Sequence, residues 1–377
     1  MMPQPEGLSP AELGQRVDPW LAGSVAFLLA VGVAAVYSGS AVLAAERFGD
    51  PSLFLLRHLQ AIGVSLVVIY VVGRVPLERW SAAAYPLLAV AFVLLFLTVA
   101  SPLGRSANGA TRWLLVGPIR MQPAEIAKLA VVVYLAHSLA KKRERASTFS
   151  VGFVPHVLVV SLLVLLLFKQ PDLGTSAVVY ATLGAMLFVA GTRSAYLVMA
   201  VLAVVPFVMF YLERYPHARR RFQVFLAPES DPTGAGYHIY QSLLAFGSGQ
   251  VFGTGLGQGS QKLFFLPEPH TDFVFATIGQ ELGFLGATAV LGAFTVLVGR
   301  SLWVATRLPC RFPMFLTFGV AIWLGTQAAI NMGVAVALLP TKGLTLPLVS
   351  YGRTSMIVAA WVPSQMATPK VRNIGNR

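Results

Sequence analysis

The chain has 377 residues, 56% of them hydrophobic and only 11% charged, where soluble domains run to roughly a quarter charged. That balance excludes a soluble enzyme. The net charge of +13 is spread through short loops rather than gathered in a polar domain, which argues against a nucleic-acid partner. A single cysteine, Cys310, excludes an internal disulfide.

Apolar stretches of roughly 17–25 residues, the length a helix needs to cross a bilayer, recur along the chain. They predict spans at 19–42, 54–74, 81–101, 122–140, 151–168, 173–191, 194–213, 271–299, 312–338 and 345–368. The expected fold is an all-α polytopic membrane protein with about ten transmembrane helices. The sequence lacks the two-residue alternation of a β-barrel. Residues 1–18 read as an N-terminal tail, 19–368 as the membrane domain and 369–377 as a C-terminal tail. The first apolar run is long enough for a full span rather than a cleavable leader. Residues 214–270 form one large polar loop between the seventh and eighth spans.

Short-loop Lys and Arg residues set orientation. With both termini in the cytoplasm, Arg74, Arg79, the run Lys141–Arg145, Arg193, Arg300, Arg307 and Arg311 lie inside, and the large loop lies outside. Arg105, Arg112, Arg120, Lys169, Arg219, Arg220, Arg221, Lys262, Lys342 and Arg353 then fall on the outer side. They read either as tolerated loop charges near lipid headgroups or as an outward-facing anion site.

Polar residues interrupt the apolar pattern at four places. In NGATRWLLVGPIRMQPAEIAK (108–128), Pro123 suits a first helical turn. Glu125 and Lys128, three apart, share a helix face and can pair. They are either a structural ion pair or a cation held in a cavity. In FKQPDLGT (168–175), Asp172 is a helix N-cap or a second polar group in the same vestibule. Within the large loop, YHIYQSLLAFGSG predicts a short amphipathic helix with Tyr237, Tyr240, Leu244 and Phe246 at the bilayer surface. GTGLGQGS, which contains Gln258, lacks the Lys-Ser/Thr of a nucleotide loop and suits turns or close backbone approach to a phosphate.

LPEPHTDF brings Glu268, His270 and Asp272 to a membrane entry point, where an unpaired carboxylate is costly. Helical steps from Asp272 reach Ala276, Gly279, Gly283 and Gly286, a small-residue stripe that predicts close packing and turns Asp272 into the bundle. Asp272 is either a helix cap or interhelical hydrogen-bonding group, or else a general base or an anion that holds a metal. His270 beside it falls short of a zinc ligand set. Glu281 faces nearly the other way and reads as structural. LLPTKGLTLPLVSYGRTS (338–355), rich in Pro and Gly, reads as re-entrant backbone beside protein or water, with Lys342 as a further outer cation.

Taken in order, NGATRW, QPAEIAK, QPDLGT, GYHIYQSLLAFGSG, GTGLGQGSQKLFFLPEPHTDF, IGQELGFLG and LLPTKGLTLPLVSYG resemble the SEDS family. These are the peptidoglycan glycosyltransferases of the FtsW/RodA group, and the last motif lies nearer the cell-division branch. Arg353 and Thr354 depart from the Gly and Ser common there. The resemblance implies polymerisation of lipid II at the outer face of the inner membrane, with Asp272 essential. Glu125, Lys128, Asp172 and Lys342 correspond to the family's other motif residues. Implied partners are a class B penicillin-binding protein, divisome proteins and membrane lipid, with a septal location.

On this reading Asp272 deprotonates the acceptor hydroxyl, while Lys128, Lys342, Arg112, Arg219 or Arg220 meet the diphosphate. Gln258 and His270 complete the candidate set. The sequence assigns no cofactor, though a diphosphate commonly brings magnesium or manganese, which Asp272 could hold. The alternatives are a lipid II flippase, an elongation-type polymerase and a docking scaffold. The one-sided polar clusters and the lack of a broken-helix repeat weigh against the flippase.

Overall fold

The computed structural model describes residues 18–107, 110–117, 119–214, 219–220, 223, 225, 234, 236–259 and 269–366. Lys262, Glu268, Arg221 and most of both tails lie outside the described residues. Helix α1 (Pro19–Phe48) starts where Asp18 accepts from the Trp20 and Leu21 amides at 3.0 and 3.3 Å, a cap worth about 1 kcal/mol. It ends at Gly49 with φ 74°, the left-handed closure glycine permits.

The chain continues through α2 (Leu53–Arg74), the short α3 (Leu77–Ala82) and α4 (Ala84–Ala100). Three strands follow: β1 (Gly104–Ala107), β2 (Ala110–Val116) and β3 (Ile119–Met121). Then come α5 (Pro123–Lys142), α6 (Val154–Lys169), α7 (Leu173–Val189) and α8 (Ser194–Arg214). The last four helices are α9 (Tyr237–Gly249), α10 (Val274–Arg307), α11 (Arg311–Ala335) and α12 (Arg353–Met366).

Among the described residues, six helical segments are long and apolar enough to cross a membrane: α1, α2, α5, Phe149–Lys169, α10 and α11. Helices α4 and α7 and the first part of α8 are shorter apolar helices. The expected tenth span, 345–368, is corrected. Residues 341–352 are irregular and the helix begins only at Arg353.

Helix α5 is the axis of the core. Residues Leu129 to Ala136 are all buried, and α4, α7 and α11 pack around them. This is why α5 can carry charge at one end: its neighbours, not lipid, surround it.

The segment read as a polar loop between α4 and α5 is an antiparallel sheet in the order β1-β2-β3. Thr111 and Trp113 supply strand-forming side chains. Arg105 pairs with Trp113 and Leu115 with Arg120, whose guanidinium lies 4.6 Å from the Trp113 ring centre.

Helix α10 is not continuous. Gly283 has φ 65° and ψ −165°, and two helical halves meet there. The backbone groups freed by the break are taken by the chain after α9. Phe284 and Leu285 amides donate to the Gln250 and Val251 carbonyls at 2.9 and 3.2 Å, and Thr254 and Gly255 amides donate to Gln280 and Glu281 carbonyls at 3.0 and 3.1 Å. Lipid offers no such partners, so the inserted segment is what permits the break.

Two expectations change. The small-residue stripe packs as read only to Gly279, which abuts the Phe246 ring, because the helical period stops at Gly283. The break at Gly283 is one interrupted helix, not the inverted repeat of broken helices weighed against transport. Phe246 also turns inward, 5.5 Å from the Phe275 ring, whereas Tyr240 and Leu244 remain exposed as expected.

Candidate functional site

The site forms where the sheet, the N-terminal ends of α5, α7 and α10, and the irregular 341–352 segment meet. Gly343 lies at its centre. A Cβ there would sit 3.0 Å from Arg112 Nη1 and 3.1 Å from Asp272 Oδ2, so both side chains reach one space above this glycine. Arg112, on β2, is anchored by donating from Nη2 to the Pro171 carbonyl at 2.6 Å. Asp272 is half-buried, and Lys342 is half-buried in the residue before Gly343.

A second polar group lies deeper. Glu125 and Lys128 are each 2% exposed and form an ion pair of 2.9 Å. Lys128 also donates to Gln327 Oε1 at 2.5 Å, and its ammonium lies 5.3 Å from the Trp323 ring centre. Gln327 Nε2 donates onward to the Thr345 carbonyl at 2.9 Å. One turn along α11, Asn331 Nδ2 donates both to the Asp272 carbonyl at 2.9 Å and to the Leu344 carbonyl at 2.6 Å. The buried pair therefore ties down the 343–345 backbone, and α11 ties that backbone to Asp272.

Gln327, Asn331 and Trp323 were missed from sequence. Their signal was present: two amides four residues apart on an apolar helix share one face, and an intramembrane polar face marks an interior site.

The other candidates divide. Asp172 is 1% exposed and caps α7, accepting from the Thr175 amide at 3.2 Å and its hydroxyl at 2.8 Å, so the cap reading has direct contacts. Its helix still touches the site, because Gly174 packs against Leu344. His270 is buried in an aromatic cluster, 5.0 Å from Phe54 and 5.7 Å from Tyr351 between ring centres. Straps hold its backbone: the Tyr351 amide donates to the His270 carbonyl at 2.9 Å, and Ser350 Oγ donates to the Thr271 carbonyl at 2.6 Å. His270 thus shapes the loop that presents Asp272.

Gln258 is exposed and lines a separate cavity of about 600 Å³ with Tyr37, Ser38 and Val42 of α1. Behind it, Glu281 accepts from Ser38 Oγ at 2.5 Å and from the Gly257 amide at 3.1 Å. Arg219 and Arg220 are exposed in a region where most neighbours lie outside the described residues. Among the described residues, no three His, Cys, Asp or Glu side chains gather as metal ligands.

Comparison with known proteins gives the family of this fold. The FtsW/RodA/SpoVE cell cycle protein model matches residues 19–364. A protein of Trichlorobacter lovleyi named probable peptidoglycan glycosyltransferase FtsW is 41% identical over 335 residues, covering 89% of this chain and 88% of its own. A Geobacter metallireducens protein of the same name is 42% identical over 331 residues, 88% of each chain. Among solved structures, a chain from a peptidoglycan synthase complex that coordinates polymerization and crosslinking superposes with a TM-score of 0.77 at 31% identity. That match covers 93% of this chain and 96% of the other. The rod shape determining protein RodA of Thermus thermophilus gives 0.68 at 28% identity, covering 93% and 95%. The chain is a multi-pass membrane protein and belongs to the FtsW/RodA/SpoVE family.

Proposed function

We propose that the protein is a peptidoglycan glycosyltransferase that polymerises lipid II, and that Asp272 is its general base. The observation that carries this reading is the convergence of Asp272 Oδ2 and Arg112 Nη1 over Gly343. The names of the relatives supply the reaction class.

Chain extension joins an acceptor sugar hydroxyl to the anomeric carbon of a second lipid-linked sugar. Asp272 takes the hydroxyl proton, the hydroxyl oxygen bonds to the anomeric carbon, and the bond from that carbon to diphosphate breaks. The electron pair leaves on a diphosphate oxygen. Arg112, which reaches the space over Gly343, and Lys342, the residue before that glycine, meet that developing charge. A divalent cation accompanying the diphosphate would share Asp272.

Lys128 has contacts that favour the structural ion pair of its two readings. It is buried and engaged by Glu125 and Gln327, so it acts through the 343–345 backbone rather than on diphosphate. Such positioning matters because about 1 Å of misplacement can cost on the order of 10²-fold in rate.

The active site would face the outer side with both termini cytoplasmic, and the role would be septal. The related synthase complex supports a crosslinking penicillin-binding protein as partner, joined by divisome proteins. The interrupted α10 favours one second reading, lipid II translocation, since broken helices line transport sites. Purified protein given labelled lipid II separates the two. Glycan chains that vanish in Asp272→Asn support polymerisation; vesicle translocation without polymer overturns it.

A further inference from the structure

At the end of α10 remote from Asp272, three side chains form a stack. The guanidinium carbon of Arg300 lies 3.8 Å, and that of Arg307 3.6 Å, from the ring centre of Trp303. The arginines stand three residues before and four after the tryptophan on one helix face, so two cations bracket one ring. Arg300 Nε also meets Asp18 Oδ2 at 2.7 Å, which offsets one charge. Counted over the described residues alone, Arg300, Arg307 and Asp18 sum to one positive charge.

Beside it lies a depression of about 370 Å³, lined by Trp20, Thr295, Val296, Gly299, Arg300 and Trp303. It is shallow and opens widely to the outside, unlike an enclosed small-molecule pocket. Trp20 stands 64% exposed across from Trp303. Arginine and tryptophan at a membrane boundary need no special explanation. The hollow does. A Cβ at Gly299 would meet nothing within 4 Å, so the glycine opens a floor that an anchoring belt does not require.

The parts are also ordered along α10. Thr295, Val296 and Gly299 lie deeper in the apolar helix, Arg300 follows, and Arg307 stands at its end. A phospholipid has the same order, from acyl chain to phosphate. We propose that this hollow binds an anionic phospholipid, with its phosphate at Arg300, Arg307 adding positive charge from the other face of Trp303, and an acyl chain over Gly299 against Val296. The residual positive charge selects a headgroup that carries no ammonium of its own.

The test uses the full chain purified in detergent and offered phosphatidylglycerol or phosphatidylcholine. Native mass spectrometry counts retained lipid, and melting is followed in parallel. Two variants are compared with the native protein. Gly299→Leu fills the hollow at a position where a helix favours leucine over glycine. Arg307→Gln removes the second cation. Phosphatidylglycerol is expected to be retained and to raise the melting temperature, and phosphatidylcholine to do neither. Each variant should weaken phosphatidylglycerol retention about tenfold, equivalent to about 1.4 kcal/mol, while melting without lipid stays native. Equal retention of the two lipids, or native retention by both variants, overturns the site. If Gly299→Leu fails to fold, Arg307→Gln decides the question alone.

Discussion

Lys128 on α5 and Gln327 on α11 are joined by a hydrogen bond of 2.5 Å, and the same Gln327 holds the Thr345 carbonyl at 2.9 Å. A buried charge is thereby coupled to the backbone beside Asp272. Truncating Lys128 alone strands Glu125, whose Oε2 already lacks a hydrogen-bond partner among the described residues. Lys128→Met should destabilise the protein by about 3–5 kcal/mol. Lys128→Met combined with Glu125→Leu should recover much of that loss. Detergent melting curves of the four proteins in the cycle give the answer, and purely additive losses would contradict the coupling.

Asp272→Asn preserves shape and removes the base. Polymerisation of lipid II should fall on the order of 10²–10⁴-fold with melting unchanged. Native turnover by this variant would remove Asp272 from the chemistry.

Gly343→Ala tests the geometry rather than the charge. Its methyl would press on Arg112 Nη1 and Asp272 Oδ2, at 3.0 and 3.1 Å from the added carbon. Turnover should drop by about tenfold or more, through misplaced reacting groups, in a folded protein. A variant with native kcat would mean that these two side chains need not share that space.

Gly283→Ala probes the helix interruption. The φ of 65° with ψ of −165° is open essentially to glycine alone, and the added carbon would meet Gly253 and Val251 backbone. A cost of about 1–3 kcal/mol is expected. Segment 250–255 should become the first protease-sensitive site. Unchanged melting and cleavage would show that the inserted segment does not depend on this glycine.

The helices were legible because apolar length reports on the solvent around a segment, and a bilayer requires little more than that length. That Asp272, Glu125 and Lys128 face protein rather than lipid was legible for a related reason: charge in such segments is rare. What brings them together was not legible. Gly283 belonged to a small-residue stripe that suits continuous packing as well as a break. Choosing between them requires knowing that residues 250–255 return to α10 some thirty positions later. The sheet was hidden because its short strands carry arginines, which read as loop charges, although Thr111 and Trp113 fit a pleated surface. Asn331 and Gln327 were visible as a spaced pair, but their targets are carbonyls of an irregular segment, which sequence does not mark.

The interruption at Gly283 also insulates angular phase. In an unbroken helix, one inserted residue rotates everything beyond it by about 100°. Here the upper half of α10 is registered by residues 254 and 255, and the lower half by residues 250 and 251. A residue added among 290–300 would turn the lower half against its neighbours and leave the azimuth of Asp272 where it was.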